Sequence, residues 1–302
     1  MGLRAAVPAA LLAIGMAWSP AAMGQKLYAS SVRWVADSSG VVGGSLYSVA
    51  LATGSASFIA PFQLNGSTPL GITGIAVHPA TGVFYGITSP LSRNFPRSLV
   101  TFNPATGDAR MVGPLRISGS DLAFSRSGIL YAWLPETSQL GTVSLEAGAV
   151  TPIGRAAAAG PPAGLAIDAS GRAYITPKGA TGTLDTVDIA TGAVKTGPQL
   201  TGAPFESTIN SMTFTTLGLL LAVNSNAGAP AATRLVAINV ASGAVANIGT
   251  LPDDTDGIAF ANAPGRDAAA GPNWQNIALL ALGVTALILG LIGWTVGRRA
   301  KG

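Results

Sequence analysis

The chain has 302 residues, with 17 Lys+Arg, 13 Asp+Glu, one His and no Cys. A charged fraction of 10% beside 48% hydrophobic residues excludes a solvated, disordered chain. The absence of Cys excludes disulfide scaffolds, thiolate metal centres and thiol nucleophiles. Four cations, Arg4, Arg298, Arg299 and Lys301, lie at the two ends and leave 13 against 13 between them. That neutral body lacks the electrostatic footprint of a nucleic-acid binder.

Residues 1–24 carry Arg4, an apolar run from Ala5 to Trp18, and small residues at Ala22 and Gly24. This pattern predicts a secretory signal peptide, with the mature chain beginning at Gln25.

Residues 25–262 are written as repeats. One segment recurs at 45–62, 98–115, 139–156, 183–200 and 234–251. A second recurs from Gly74, Asp121, Gly164, Ser211 and Gly257, at spacings of 47, 43, 47 and 46 residues. Each unit holds four short apolar runs separated by turn pairs such as Thr53-Gly54, Thr106-Gly107, Thr191-Gly192 and Ser242-Gly243. Glycine there supplies the positive φ of a tight hairpin. Four-stranded units at this period predict an all-β, five-bladed β-propeller, five being preferred to six. The fifth copy stops after residues 257–262 and lacks its following strand, and Lys26–Ala29 supplies the match from the other end of the mature chain. One blade is therefore expected to take its innermost strand from the C-terminal end and three strands from the N-terminal end, which removes two sheet edges.

Residues 263–275 read as a linker, and 276–297 as a transmembrane helix. Ile277–Val296 is a 20-residue uncharged run, long enough to span roughly 30 Å of hydrocarbon. Trp274 and Trp294 bracket it, and Arg298, Arg299 and Lys301 predict a cytoplasmic tail at 298–302. The expectation is a single-pass protein of the cytoplasmic membrane, its propeller on the periplasmic or cell-surface side.

The repeat alignment sorts the loops between two faces. Inner-pair turns and Thr-Gly turns are short and uniform, and they share one face. The connections 30–44, 89–97, 134–138, 199–210, 224–233 and 252–256 are long, differ from one another, and share the other face. Variable loops on a rigid repeat are where recognition concentrates. Candidate ligand-binding residues there are Arg33, Trp34, Arg93, Phe95, Arg97, Trp133, Glu136 and Glu206. Trp and Arg dominate interface energies and stack on sugars and peptides, although Trp34 and Trp133 could equally pack between blades.

Catalytic chemistry finds little purchase. His78, the single His, aligns with Ser125, Asp168, Thr215 and Ala261 at the inner-pair turn, and no G-x-S-x-G elbow accompanies it. Asp256, Asn210 and Asp121 stand at the channel mouth and are candidate oxygen ligands for Ca²⁺ or Mg²⁺.

The inner-strand pairs, for instance residues 164–176, resemble those of NHL-type and lactonase-like propellers across residues 25–262. The lactonase resemblance implies a metal held at the channel mouth by Glu, Asn and Asp, and this chain places no Glu there. The expected function is a non-catalytic binding or scaffold module presenting its variable face to an envelope protein, peptide or glycan, with no nucleic-acid partner. A metal-dependent, lactonase-like hydrolase is the alternative.

Overall fold

Most strands here are apolar on both sides, so each sheet needs a neighbour on both faces. In β1 (Lys26–Ser31), Leu27 and Ala29 pack into one apolar cluster and Tyr28 into another. A closed ring of sheets gives every sheet two neighbours. The computed structural model, which describes residues 25–32, 43–226 and 232–261, shows that ring. The signal peptide, the linker at 263–275, the transmembrane segment, the basic tail, Arg33 and Trp34 lie outside the described residues. Among the described residues, no helix is long and apolar enough to cross a membrane.

The chain is a five-bladed β-propeller. The first blade combines β1, β2 (Ser45–Val49) and β3 (Ala56–Pro61) with β22 (Thr255–Ala261) as its innermost strand. The second is built on β6 (Ile72–Val77), β7 (Phe84–Thr88), β8 (Ser98–Phe102) and β9 (Asp108–Pro114). The third runs from β10 (Leu122–Phe124) through β11 (Leu130–Leu134) and β12 (Gln139–Val143) to β13 (Val150–Ile153). β14 (Leu165–Ile167), β15 (Ala173–Ile175), β16 (Asp185–Val187) and β17 (Val194–Lys195) form the fourth. The fifth is β18 (Thr208–Phe214), β19 (Leu220–Asn226), β20 (Ala232–Ile238) and β21 (Val245–Leu251). The closure matches the sequence expectation: Leu27 pairs with Phe260, Tyr28 with Ala259 and Ala29 with Ile258, antiparallel.

Five apolar clusters fill the five gaps between blades. The perimeter is closed by the Thr-Gly turns themselves. Gly107, at φ 71°, lies so close to the preceding blade that a Cβ would stand 2.2 Å from the Pro61 carbonyl oxygen. Gly54, Gly148, Gly192 and Gly243 press on the preceding blade in the same way, at Gly249, Gly113, Ile153 and Gln199. The repeated glycine therefore serves a ring contact as well as a hairpin.

One feature of the second blade departs from the four-strand expectation. β4 (Gln63–Leu64) and β5 (Thr68–Pro69) form a small hairpin, and β4 adds in parallel to β9, giving a six-stranded sheet. Phe62, Leu64 and Leu70 bury beneath it, and Asn65-Gly66 turns it with both residues at positive φ. An Asn-Gly pair is the sequence signal for such a turn.

Candidate functional site

All five innermost strands run in one direction, from the variable face to the short-turn face, so the same column of residues meets at the axis. That column is Gly74, Asp121, Gly164, Ser211 and Gly257. Three glycines leave room, and two side chains fill it. Asp121 is 0% exposed. One carboxylate oxygen accepts the Leu122 N–H at 2.9 Å and the Ser211 hydroxyl at 3.0 Å. The other accepts the Leu165 N–H at 2.8 Å and the Met212 N–H at 3.0 Å. Ser211 Oγ in turn accepts the Ile258 N–H at 3.1 Å. The carboxyl group thus ties three blades together on the axis, and Ser211 extends the knot to a fourth. Burial pushes its pKa well above the usual carboxylate range, and the four hydrogen bonds pull against that. With four donors converging on it, the ionised form is the one this geometry fits.

Asp256 sits at the channel mouth on the variable face, where it accepts a hydrogen bond from the Thr73 hydroxyl and interacts with Asn210. Burial pushes its carboxyl up to about 7, opposed by Thr73 and Asn210 and reinforced by the nearby Asp254. Asn210 also accepts from Ser225 Oγ at 3.1 Å. The three residues suggested as metal ligands therefore divide: Asp256 and Asn210 are neighbours, whereas Asp121 faces inward with both oxygens doubly bonded to protein donors. Among the described residues no group of three or more His, Asp or Glu is placed to hold a cation. This donor set does not fit a hard cation, which needs carboxylate lone pairs that Asp121 has already committed.

The variable face brings together several of the other candidates. Arg97 Nε donates to Ser118 Oγ at 2.7 Å and lies 3.8 Å from Glu136 Oε1. Ser118 donates to the same Glu136 oxygen at 2.6 Å. Arg93 and Phe95 belong to the same loop, and Glu206 is exposed on a different one. Trp133, in contrast, is 3% exposed and packs between the third and fourth blades with Tyr131, Leu140 and Leu165. It belongs to the core and not to the exposed face. All five residues of β11 are buried because both faces of that strand are covered.

Loop 89–97 is tightly strapped. Thr88 Oγ1 donates to the Phe95 carbonyl and accepts the Ser98 N–H at 2.8 Å. Ser92 Oγ accepts from the Gly71 N–H at 3.2 Å and donates to the Asn94 carbonyl at 2.7 Å. Asn94 Nδ2 donates to the Pro69 carbonyl at 3.1 Å. Within this frame Phe95 and Arg97 adopt φ of 45° and 54°, and the adjacent Arg116 adopts 66°. Such angles are costly for residues with a Cβ. Yet the loop shows solvent its apolar side chains, with Leu91 70% and Phe95 51% exposed. Sequence reasoning missed Leu91 and Arg116; nothing in the residue pattern marks a left-handed arginine or an exposed leucine.

His78 is a turn residue, as expected. Its Nδ1 accepts the Ala80 and Thr81 N–H groups, both at 3.2 Å, and its ring meets Phe124 edge-on at 5.0 Å.

No protein-family model matches the chain, and no curated protein matches it. Solved structures do. A structural-genomics protein of unknown function from Bacteroides thetaiotaomicron VPI-5482 matches with 19% identity, a TM-score of 0.46, and coverage of 65% of this chain and 53% of its own. A chain of a nidogen/laminin complex matches with 12% identity, a TM-score of 0.47, and coverage of 79% and 99%. A Kuenenia stuttgartiensis hydrazine synthase chain matches with 18% identity, a TM-score of 0.41, and coverage of 61% and 50%. This chain thus spans about half the length of the first and third and nearly all of the second.

Proposed function

We propose that the protein is a non-catalytic binding module whose variable-loop face docks a partner protein of the cell envelope. The observation that carries this reading is loop 89–97, held in a strained backbone conformation by its own hydrogen bonds while it exposes Leu91 and Phe95. Ordering a loop before contact lowers the cost of binding, and an apolar pair rimmed by polar groups suits a protein surface. Arg93, Arg97 and Arg116 against Glu136 give the patch a positive balance, which favours an acidic partner segment carrying an apolar anchor. The NHL-type resemblance of the repeats agrees with a scaffold role and assigns no chemistry.

The module is placed outside the cytoplasm by a cleaved signal peptide at 1–24 and anchored by residues 276–297. Truncation after residue 275 should move it to the soluble fraction, and continued membrane retention would remove the anchor from this account. For docking, a photo-crosslinking residue is placed at Phe95 and, separately, at Thr81 on the opposite face. A single adduct of defined mass from Phe95, lost on Arg93→Glu and absent from Thr81, is the expected result. Equal labelling from both faces would refute the assignment. The hydrolase alternative makes a different demand: Ca²⁺ or Mn²⁺ would raise the melting temperature, and Asp256→Ala would abolish that rise.

A further inference from the structure

Four hairpin turns join innermost strands to their partners around the axis, on the face opposite the docking loops. Each is closed by a backbone bond: His78 donates to Val83, Ser125 to Ile129, Asp168 to Arg172 and Thr215 to Leu219. Their glycines behave unlike those of the outer hairpins. A Cβ added at Gly82, Gly171 or Gly218 would meet nothing within 4 Å, whereas one at Gly107 meets the preceding blade. The inner turns therefore form a crown whose tips the ring does not need for packing.

Tight turns favour Gly, Pro, Asn, Asp and Ser, yet three of these carry large apolar side chains at the tip. Val83 is 39% exposed, Ile129 46% and Leu217 47%. Val83 and Ile129 follow the turn glycine of their blades, and Leu217 precedes its own. One exposed apolar residue needs no explanation, but three at matching places in separate blades make a patterned surface. Lys26, Arg126 and Arg172 stand in the same crown against a single acid, Asp168. That acid is committed to its own turn, accepting from the Ser170 N–H and hydroxyl and from the Arg172 N–H. The other described acids on this face, Asp108, Glu146 and Asp188, belong to the outer hairpins. Apolar side chains interleaved with cations suit the headgroup boundary of a bilayer.

The path of the chain says which surface lies opposite. β22 ends at Ala261 on this face, paired with Lys26 inside the crown. Residues 262–275 then separate it from the apolar run 276–297, a reach of at most about 50 Å when fully extended. The tether leaves from the middle of the crown, so of the ring's two faces this is the one an anchor draws toward the membrane.

We infer that the inner-turn crown rests on the bilayer that holds the anchor, with Val83, Ile129 and Leu217 entering the headgroup boundary and the docking loops held pointing away. This rests on the anchor at 276–297 proposed above, and the experiment reads the two separately. The chain has no Cys, so Ile129→Cys, Leu217→Cys and Phe95→Cys each accept one fluorescent label. The labelled full-length chain is reconstituted into phosphatidylcholine and phosphatidylglycerol vesicles containing a headgroup-nitroxide lipid. Flotation after a carbonate wash reads the anchor, and nitroxide quenching reads the face. Labels at positions 129 and 217 should be quenched at least about threefold more than the label at position 95. Ile129→Glu combined with Leu217→Glu should release a label on Val83→Cys from quenching, with flotation and melting temperature unchanged. A chain that floats but is quenched equally on both faces, or more at position 95, overturns the inference and leaves the anchor. Quenching at position 83 that survives both glutamates shows that the tether alone brings the crown near, and overturns it too. A chain that does not float removes the anchor and the inference together.

Discussion

The two faces of this ring are built from the same five repeats, yet they use their loops in opposite ways. On the short-turn face each outer hairpin is set by local chemistry and then locked onto the preceding blade. Asn103, Asp188 and Asn239 each accept a backbone N–H two residues on, at 2.8–2.9 Å, and the following glycine touches the preceding blade. These loops cannot vary without opening the ring. On the variable face the described loops differ from one another, and the non-glycine residues at positive φ gather there, at Phe95, Arg97, Arg116, Ser138 and Asp254. The contrast teaches that repeat regularity marks where the frame is joined, and departure from it marks where the molecule is free to recognise something else.

The largest effect expected from breaking this scheme is at the axis. Asp121→Ala leaves three backbone N–H groups and Ser211 without their acceptor, and should cost about 3–5 kcal/mol in urea unfolding. A loss below about 1 kcal/mol would mean that the blades do not depend on the knot. A matched pair of substitutions then sharpens the perimeter claim. Gly107→Ala meets both a positive φ and the Pro61 carbonyl, and should cost about 2–4 kcal/mol. Gly82→Ala has φ 70° but open space around the new Cβ, so about 1 kcal/mol is expected. Equal costs would show that the turn matters and the ring contact does not.

Asp256 gives a smaller effect with a defined sign. Its folded pKa is raised to about 7, so the protonated carboxyl stabilises the fold fully below the unfolded value near 4. That contribution is lost as pH rises through 7. Asp256→Asn should therefore lag the parent by about 1–2 kcal/mol more at pH 5 than at pH 8. A pH-independent gap between the two would contradict the enclosure of this carboxyl. The smallest effect is on the variable face. Phe95→Gly relieves a left-handed backbone and should leave stability in urea unfolding unchanged or raise it by up to about 1 kcal/mol.

The fold was largely legible in the sequence because its signals are apolar runs and turn pairs repeated five times. Lys26–Ala29 was recognisable as the missing strand since the fifth repeat ended without one. The axial knot was harder. Asp121 occupies a column otherwise made of Gly and Ser, and a lone acid among small residues marks convergence on an axis. Aligning the mouth residues instead put it beside Asp256 and Asn210. Trp133 was ambiguous because a strand buried on both faces and an exposed aromatic carry the same letter.

The account stands on closure of the ring by β1 (Lys26–Ser31). The sequence contains no Cys, so Ala29→Cys with Ile258→Cys introduces a single possible disulfide between directly paired residues. The account predicts that mild oxidation links these two positions quantitatively in the folded protein and raises its unfolding midpoint. Failure to form the bond while the protein remains folded, or formation only between separate chains, would contradict it.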